Sequence, residues 1–220
     1  SIPDKVFYKW LFTYSFFIRV AFMLVLLMIS YSTWDVLYLV GAKDEMVYHR
    51  LAEEARVIWS DLDLNSAFGH IFSSYRNSIS DSGFSTFLLL IMHVIGNSPI
   101  LIKLILCIIG SITVVRGYKL AQLVLDEPAA KLAALFLMLY PISWFYSAVM
   151  LKEGVMVYMI TEVLLQTVKL QRSFRFYRLI NTLGLIIILF FFRSAVSILL
   201  TIVVGVSLFM QFKVCEEGLY

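Results

Sequence analysis

The chain has 220 residues, 61% of them hydrophobic, and a net charge of +3; its mean hydropathy is +0.88. Soluble domains hold about 45–50% apolar residues, so this composition excludes an ordinary globular enzyme and predicts a polytopic membrane protein. The mild positive charge comes from short basic clusters between apolar runs, an orientation signal that gives no support for nucleic-acid binding.

The predicted fold class is all-α: a membrane helix bundle of about 6–7 spans forming one domain over 1–220, with an external segment after the first span. Cys107 lies in an apolar run and Cys215 in the terminal tail, so the cysteines say nothing about redox compartment. The first span covers about 10–31, with Lys5 and Lys9 before it and Trp34 after it, which suggests a cytoplasmic N-terminus. Arg19, a turn or two inside, reads as a side chain snorkelling to the near interface.

The external segment, about 32–98, carries most of the acidic groups. Val47, Leu51, Ala55 and Ile58 recur at helical spacing, with Glu45, His49, Arg50, Glu53, Glu54 and Arg56 on other faces. This pattern predicts an amphipathic helix over about 44–59, suited to the membrane surface. A short helix is expected over 68–75, and 76–83 is turn-rich. The run 84–95 is apolar but only about 12 residues long, more often a re-entrant segment than a full span. Pro99 then opens a longer helix at its first turn, where the missing N–H is harmless. Further spans are expected at 130–148, 154–168, 179–192 and 195–210, and the last two are divided only by Arg193. Trp34, Trp59 and Trp144 read as interfacial anchors. His93, inside an apolar run, reads as a buried, hydrogen-bonded side chain.

Topology turns on 84–95. If it spans, the basic loops 116–131 and 169–178 fall outside, against the positive-inside bias. If it only dips into the outer leaflet, every basic cluster falls inside, and this arrangement is preferred. Lys152, Glu153 and Arg193 then share the outer face with Asp44.

At this point the residues resemble a family. The run from Gly96-Asn-Ser-Pro99 through Arg116-Gly-Tyr-Lys-Leu-Ala, then from Ala129 through Tyr140-Pro-Ile-Ser-Trp-Phe-Tyr-Ser to Lys152-Glu153, is similar to the N-terminal module of GT-C glycosyltransferases. The nearest group is that of protein O-mannosyltransferases and lipid A aminoarabinose transferases. Asp44 and Tyr48 resemble the family's external acid followed by a tyrosine, and Phe190-Phe-Phe-Arg193 resembles its helix end with a basic residue. The likeness covers about 1–210, and family members run on into further spans and often a soluble domain.

The resemblance implies transfer of a sugar from a polyprenyl-phosphate donor to an acceptor of unknown identity at the outer face of a bacterial-type inner or plasma membrane. Asp44 and Glu153 are then the candidate catalytic residues. Glu45, Tyr48, Lys152, Arg193 and Arg76 are the candidate substrate-binding residues. Physically, a leaving phosphate needs cations, and arginine suits bidentate contact. An acceptor hydroxyl needs one carboxylate base for inversion, whereas retention needs a second, nucleophilic carboxylate. Asp44 and Tyr48, at i and i+4, share a helix face, whereas Asp44 and Glu45 diverge by about 100°. A first-turn acid is also simply favoured by the helix dipole, which accounts for both Asp44 and Glu153 without chemistry.

This reading names no cofactor for certain and leaves a divalent metal open. Asp61 and Asp63 form a weak alternative as ligands of a divalent metal, since two carboxylates on a solvated loop are a poor site. The rival to the enzyme is a non-catalytic transport or assembly subunit whose outer loop binds a partner. An enzyme needs Asp44, Glu153 and Arg193 gathered about a cavity, and a separation of about 30 Å, the bilayer's width, excludes it.

Overall fold

The computed structural model of the protein describes residues 4–35, 37–39, 43–60, 63–75 and 80–216. These fold into ten helices and, among the described residues, no strand. They are α1 (Asp4–Trp34), α2 (Lys43–Ser60), α3 (Leu64–Ser74), α4 (Ser82–Ile95), α5 (Pro99–Val124), α6 (Glu127–Leu139), α7 (Pro141–Ala148), α8 (Lys152–Arg172), α9 (Phe176–Phe192) and α10 (Ser194–Glu216).

The all-helical expectation holds, but the number of spans is a correction. Two helices, Lys5–Trp34 and Pro99–Val124, are long and apolar enough to cross a membrane, or three if α6 and α7 count as one bent span. That is fewer than the expected 6–7. The reason lies in length: α4, α9 and the apolar part of α10 (Ser194–Met210) have at most 17 residues, and a span takes about 20. The 21-residue α8 is long enough, yet it carries Glu162, Gln166 and Lys169 within its length.

The predicted span at 130–148 is broken. Tyr140 is held extended by the ring of Pro141, and α6 and α7 meet at 50°. Trp144 Nε1 donates to the Met138 carbonyl at 2.7 Å, which satisfies an acceptor at the end of α6. Trp144 therefore bridges a kink where the sequence suggested an interfacial anchor.

Arg19 is a second correction. It does not snorkel: the side chain is fully buried and donates to the Ser15 hydroxyl and carbonyl, to Ser143 Oγ at 2.6 Å and to Ser147 Oγ at 3.2 Å. Three serines thus take up the guanidinium donors and tie α1 to α7, meeting the rule that a buried charge needs hydrogen bonds. Gly110 of α5 makes room for this knot, since a Cβ there would lie 2.8 Å from Arg19 Nε.

Helix α2 is amphipathic: Glu45, Tyr48, His49, Leu51, Ala52 and Ala55 are buried, α3 and α4 pack on the helix, and Val47, expected on the apolar face, is exposed. The two alanines let the backbones approach. His93 is exposed and stacks on Trp59, ring centroids 4.0 Å apart.

The helices define two ends. At one, the start of α5 meets α2 through Lys103 and Glu45, and the starts of α4 and α8 meet through Asp81 and Lys152. At the other, Tyr8 of α1 meets Gln122 near the end of α5, and Arg116 of α5 lies 3.2 Å from Glu162 of α8. The first end holds α2 with its acidic residues, together with α3 and the start of α4; the second gathers Lys9, Arg116, Lys119, Lys169 and Arg178.

Candidate substrate site beside the first turn of α2

Asp44 and Glu45 open α2 and go separate ways. Glu45 is fully buried. It pairs with Lys103 Nζ at 2.8 Å and accepts from the backbone N–H of Leu39 at 3.0 Å and of Met150 at 3.3 Å. Lys103 also donates to the Leu37 carbonyl at 2.9 Å. The carboxylate predicted to bind substrate is thus occupied in joining α2, α5 and the α7–α8 turn.

Asp44 stays exposed. One turn on, Tyr48 is buried within electrostatic reach of several charged groups. Burial pushes its phenol well above the ordinary tyrosine range; Asp44, Glu153 and Asp81 push the same way and Arg193 opposes them. The Tyr48 hydroxyl is therefore within electrostatic reach of Asp44 from α2, Asp81 before α4, Glu153 from the first turn of α8, and Arg193 at the α9–α10 junction. The Tyr48 ring packs edge-on against Phe84, centroids 5.1 Å apart, and Lys152 Nζ lies 6.0 Å from the ring centre.

Lys152 pairs with Asp81. Asp81 has a left-handed backbone, φ 79°, and its side chain makes no cap to α4; aspartate tolerates that conformation better than most residues. Gly83 allows the approach behind it, because a Cβ there would meet the Phe191 carbonyl carbon at 2.8 Å. The first turn of α4 is thereby pressed onto the end of α9, next to Arg193. Arg193 itself is exposed and makes no ion pair among the described residues. Tyr75 completes the rim: its hydroxyl lies 2.9 Å from Ser85 Oγ, and burial pushes its phenol up to about 12.

Beside this polar group opens an apolar groove of about 710 Å³ between α3, α4, α8 and α9. Its walls include Phe68, Phe87, Tyr158, Leu185 and Ile188. Its residues Ser82, Val155 and Phe192 adjoin or nearly adjoin Asp81, Glu153 and Arg193 in the chain. Charge at one margin and an aromatic-lined trough behind it suit a ligand with an anionic head and a hydrocarbon body.

Of the remaining expected residues, Arg76 and Asp61 lie outside the described residues. Asp63 caps α3, accepting from Ser66 N at 2.9 Å and from the Ser66 hydroxyl, and these bonds hold its carboxyl below the usual range. Among the described residues, no group of three or more histidine, cysteine or acidic side chains is placed to hold a metal ion. Asp81, Tyr75 and Gly83 are site residues that sequence reasoning missed. The only signal for Asp81 and Gly83 is the Ser80-Asp-Ser-Gly83 turn ahead of an apolar run, and Tyr75 carries none. No protein-family model matches the chain, nor does a curated protein or a solved structure.

Proposed function

We propose that the chain acts as an integral-membrane glycosyltransferase of the GT-C type, moving a sugar from a polyprenyl-phosphate donor to an acceptor hydroxyl. The observation that carries this reading is the apolar groove of about 710 Å³ beside the group around Tyr48 formed by Asp44, Glu153, Asp81 and Arg193. In this reading the polyprenyl chain lies along the groove and its phosphate meets Arg193, whose planar fork suits phosphate oxygens. Lys152, already paired with Asp81, adds a cation behind it.

Asp44 takes the proton from the acceptor hydroxyl. That oxygen attacks the anomeric carbon while the bond from carbon to phosphate oxygen breaks, and the electron pair leaves on the polyprenyl phosphate. Glu153 hydrogen-bonds a sugar hydroxyl and fixes the ring. Tyr48 keeps its proton, since its surroundings hold the phenol neutral, so it serves as a neutral donor. In this reading the site faces the non-cytoplasmic side, which the basic residues gathered at the opposite end support through the positive-inside bias.

The test is transfer by the full chain in lipid vesicles supplied with a polyprenyl-phosphate sugar and an alcohol acceptor, reading released polyprenyl phosphate. Asp44→Asn lowers turnover by about 10²–10⁴-fold with donor binding retained. Full activity in that variant removes Asp44 as the base.

A further inference from the structure

The opposite end of the bundle carries a second groove, of about 460 Å³, between α1 and α5. It lies on the two helices that are by themselves long and apolar enough to cross a membrane. Tyr8, Lys9, Phe12 and Thr13 face it from α1, and Ile112, Val115, Arg116 and Lys119 from α5. Those positions are spaced as single helix faces.

The lining is graded along the helix axes. Tyr8 and Tyr118 meet with ring centroids 5.2 Å apart, and Lys119 Nζ sits 5.2 Å from the Tyr8 ring centre. The start of α1 therefore lies level with the later turns of α5. Lys9, Arg116 and Lys119 stand toward the end of the bundle, and Phe12, Ile112 and Val115 lie deeper.

The charge at this mouth is only partly neutralised from within: the Glu162 carboxylate pairs with Arg116 and reaches Lys119, against the four cations Lys9, Arg116, Lys119 and Lys169. Arg116 is committed to Glu162 of α8, at 3.2 Å. Neither Lys9 nor Lys119 makes an ion pair among the described residues. Lys169, at the end of α8, lies within electrostatic reach of Lys119. Two unpaired ammonium groups above an apolar slot between two spans match a phospholipid whose phosphate carries no compensating cation. A choline or ethanolamine headgroup would bring its own positive charge among Lys9, Lys119 and Arg116.

We propose that this groove binds an anionic phospholipid of the adjacent leaflet. The phosphate sits between Lys9 and Lys119, and an acyl chain runs along Phe12, Ile112 and Val115. Basic pockets between membrane helices are suited to such headgroups. The bound lipid fills the wedge between α1 and α5 and anchors the basic end in its leaflet. The inference is independent of the glycosyltransferase reading, whose groove lies at the other end of the helices.

The experiment is native mass spectrometry of the purified full chain in detergent with equal amounts of phosphatidylglycerol and phosphatidylcholine. The wild type retains phosphatidylglycerol at least about tenfold over phosphatidylcholine. Lys9→Gln with Lys119→Gln brings the ratio to within about twofold, while Arg175→Gln, an exposed cation on the α8–α9 turn, leaves it unchanged. Ile112→Trp fills the slot without touching the cations and also loses the lipid, so the result does not hang on the double variant folding. A wild type without preference, or a double variant that keeps it, overturns the proposal. So does an Ile112→Trp variant that keeps the preference, since the slot would then hold no acyl chain, and so does a wild type that retains inorganic phosphate as well as it retains phosphatidylglycerol, because the site would then recognise a free anion.

Discussion

Two regions meet at the first turn of α2, and they use charge in opposite ways. On one side Glu45 and Lys103 form a sealed seam, with both side chains at most 4% exposed. Both Glu45 oxygens accept from within the protein and Lys103 donates to Glu45 and to the Leu37 carbonyl, so the pair is architecture. On the other side Asp44, Asp81, Glu153 and Arg193 all act electrostatically on the buried Tyr48 from a more open rim; the Asp81 side chain is 44% exposed, and Arg193 is exposed and makes no ion pair among the described residues. Water or a ligand can reach the second group and not the first. The lesson is that adjacent carboxylates on one helix take separate roles through about 100° of rotation.

The largest effect should come from breaking the seam. Lys103→Met leaves Glu45 buried and uncompensated, which costs about 3–5 kcal/mol; replacing both partners with apolar residues recovers much of it. At the rim, Lys152→Gln shifts stability by less than about 1 kcal/mol, since solvent reaches Asp81. Denaturant unfolding in detergent compares the two, and equal losses would erase the distinction between seam and rim.

A smaller change tests how the rim is assembled. Gly83→Ala puts a methyl group 2.8 Å from the Phe191 backbone and the Phe192 ring, an overpacking worth about 1–3 kcal/mol. It also parts α4 from α9, so affinity for a polyprenyl phosphate falls more than in the control. That control is Gly69→Ala in α3, where nothing lies within 4 Å of a new Cβ; it is neutral or stabilises by about 0.5–1 kcal/mol. If the two variants behave alike in unfolding and binding, close approach at Gly83 is not what builds the rim.

The smallest effect is a proton. His49, on the buried side of α2, lies 3.0 Å from the Tyr38 hydroxyl. Burial holds its imidazole below the ordinary 6.5, with Glu53 opposing. Above pH 6.5 both folded and unfolded chains carry the ring neutral. As pH falls below that value the unfolded chain binds the proton first, so stability declines through the folded value. The expected outcome is a melting temperature that drops more between pH 7.5 and pH 5 in the wild type than in His49→Gln. Identical pH slopes would show that the seam side carries no such titration.

Much of the helical layout was legible. Pro99 at the start of α5, the break at Arg193 and the turn before α4 all stand where the residues announce them, because proline, glycine and charge interrupt a helix locally. The span count was not legible, since a high apolar content does not reveal how it is divided among helices too short to cross. Arg19 was misread for a related reason: snorkelling is the default for a lone arginine in an apolar helix, and Ser143 and Ser147 lie more than a hundred residues away. Within the candidate site, Asp44, Tyr48, Glu153 and Arg193 were named from pattern and resemblance. Asp81 was not, because its value comes from pairing with Lys152 across 71 residues of chain.

By itself, then, the sequence determined the helical class, the polar segment after the first helix and the division of acidic from basic ends. Those properties follow from local composition and from spacing along one helix. Only the tertiary structure decided that Glu45 is sealed while Asp44 is open, that Asp81 belongs with Lys152, and that an apolar groove runs up to that rim. The reason is that burial depends on what a neighbouring helix places opposite a residue, and no periodicity within one helix encodes its neighbour.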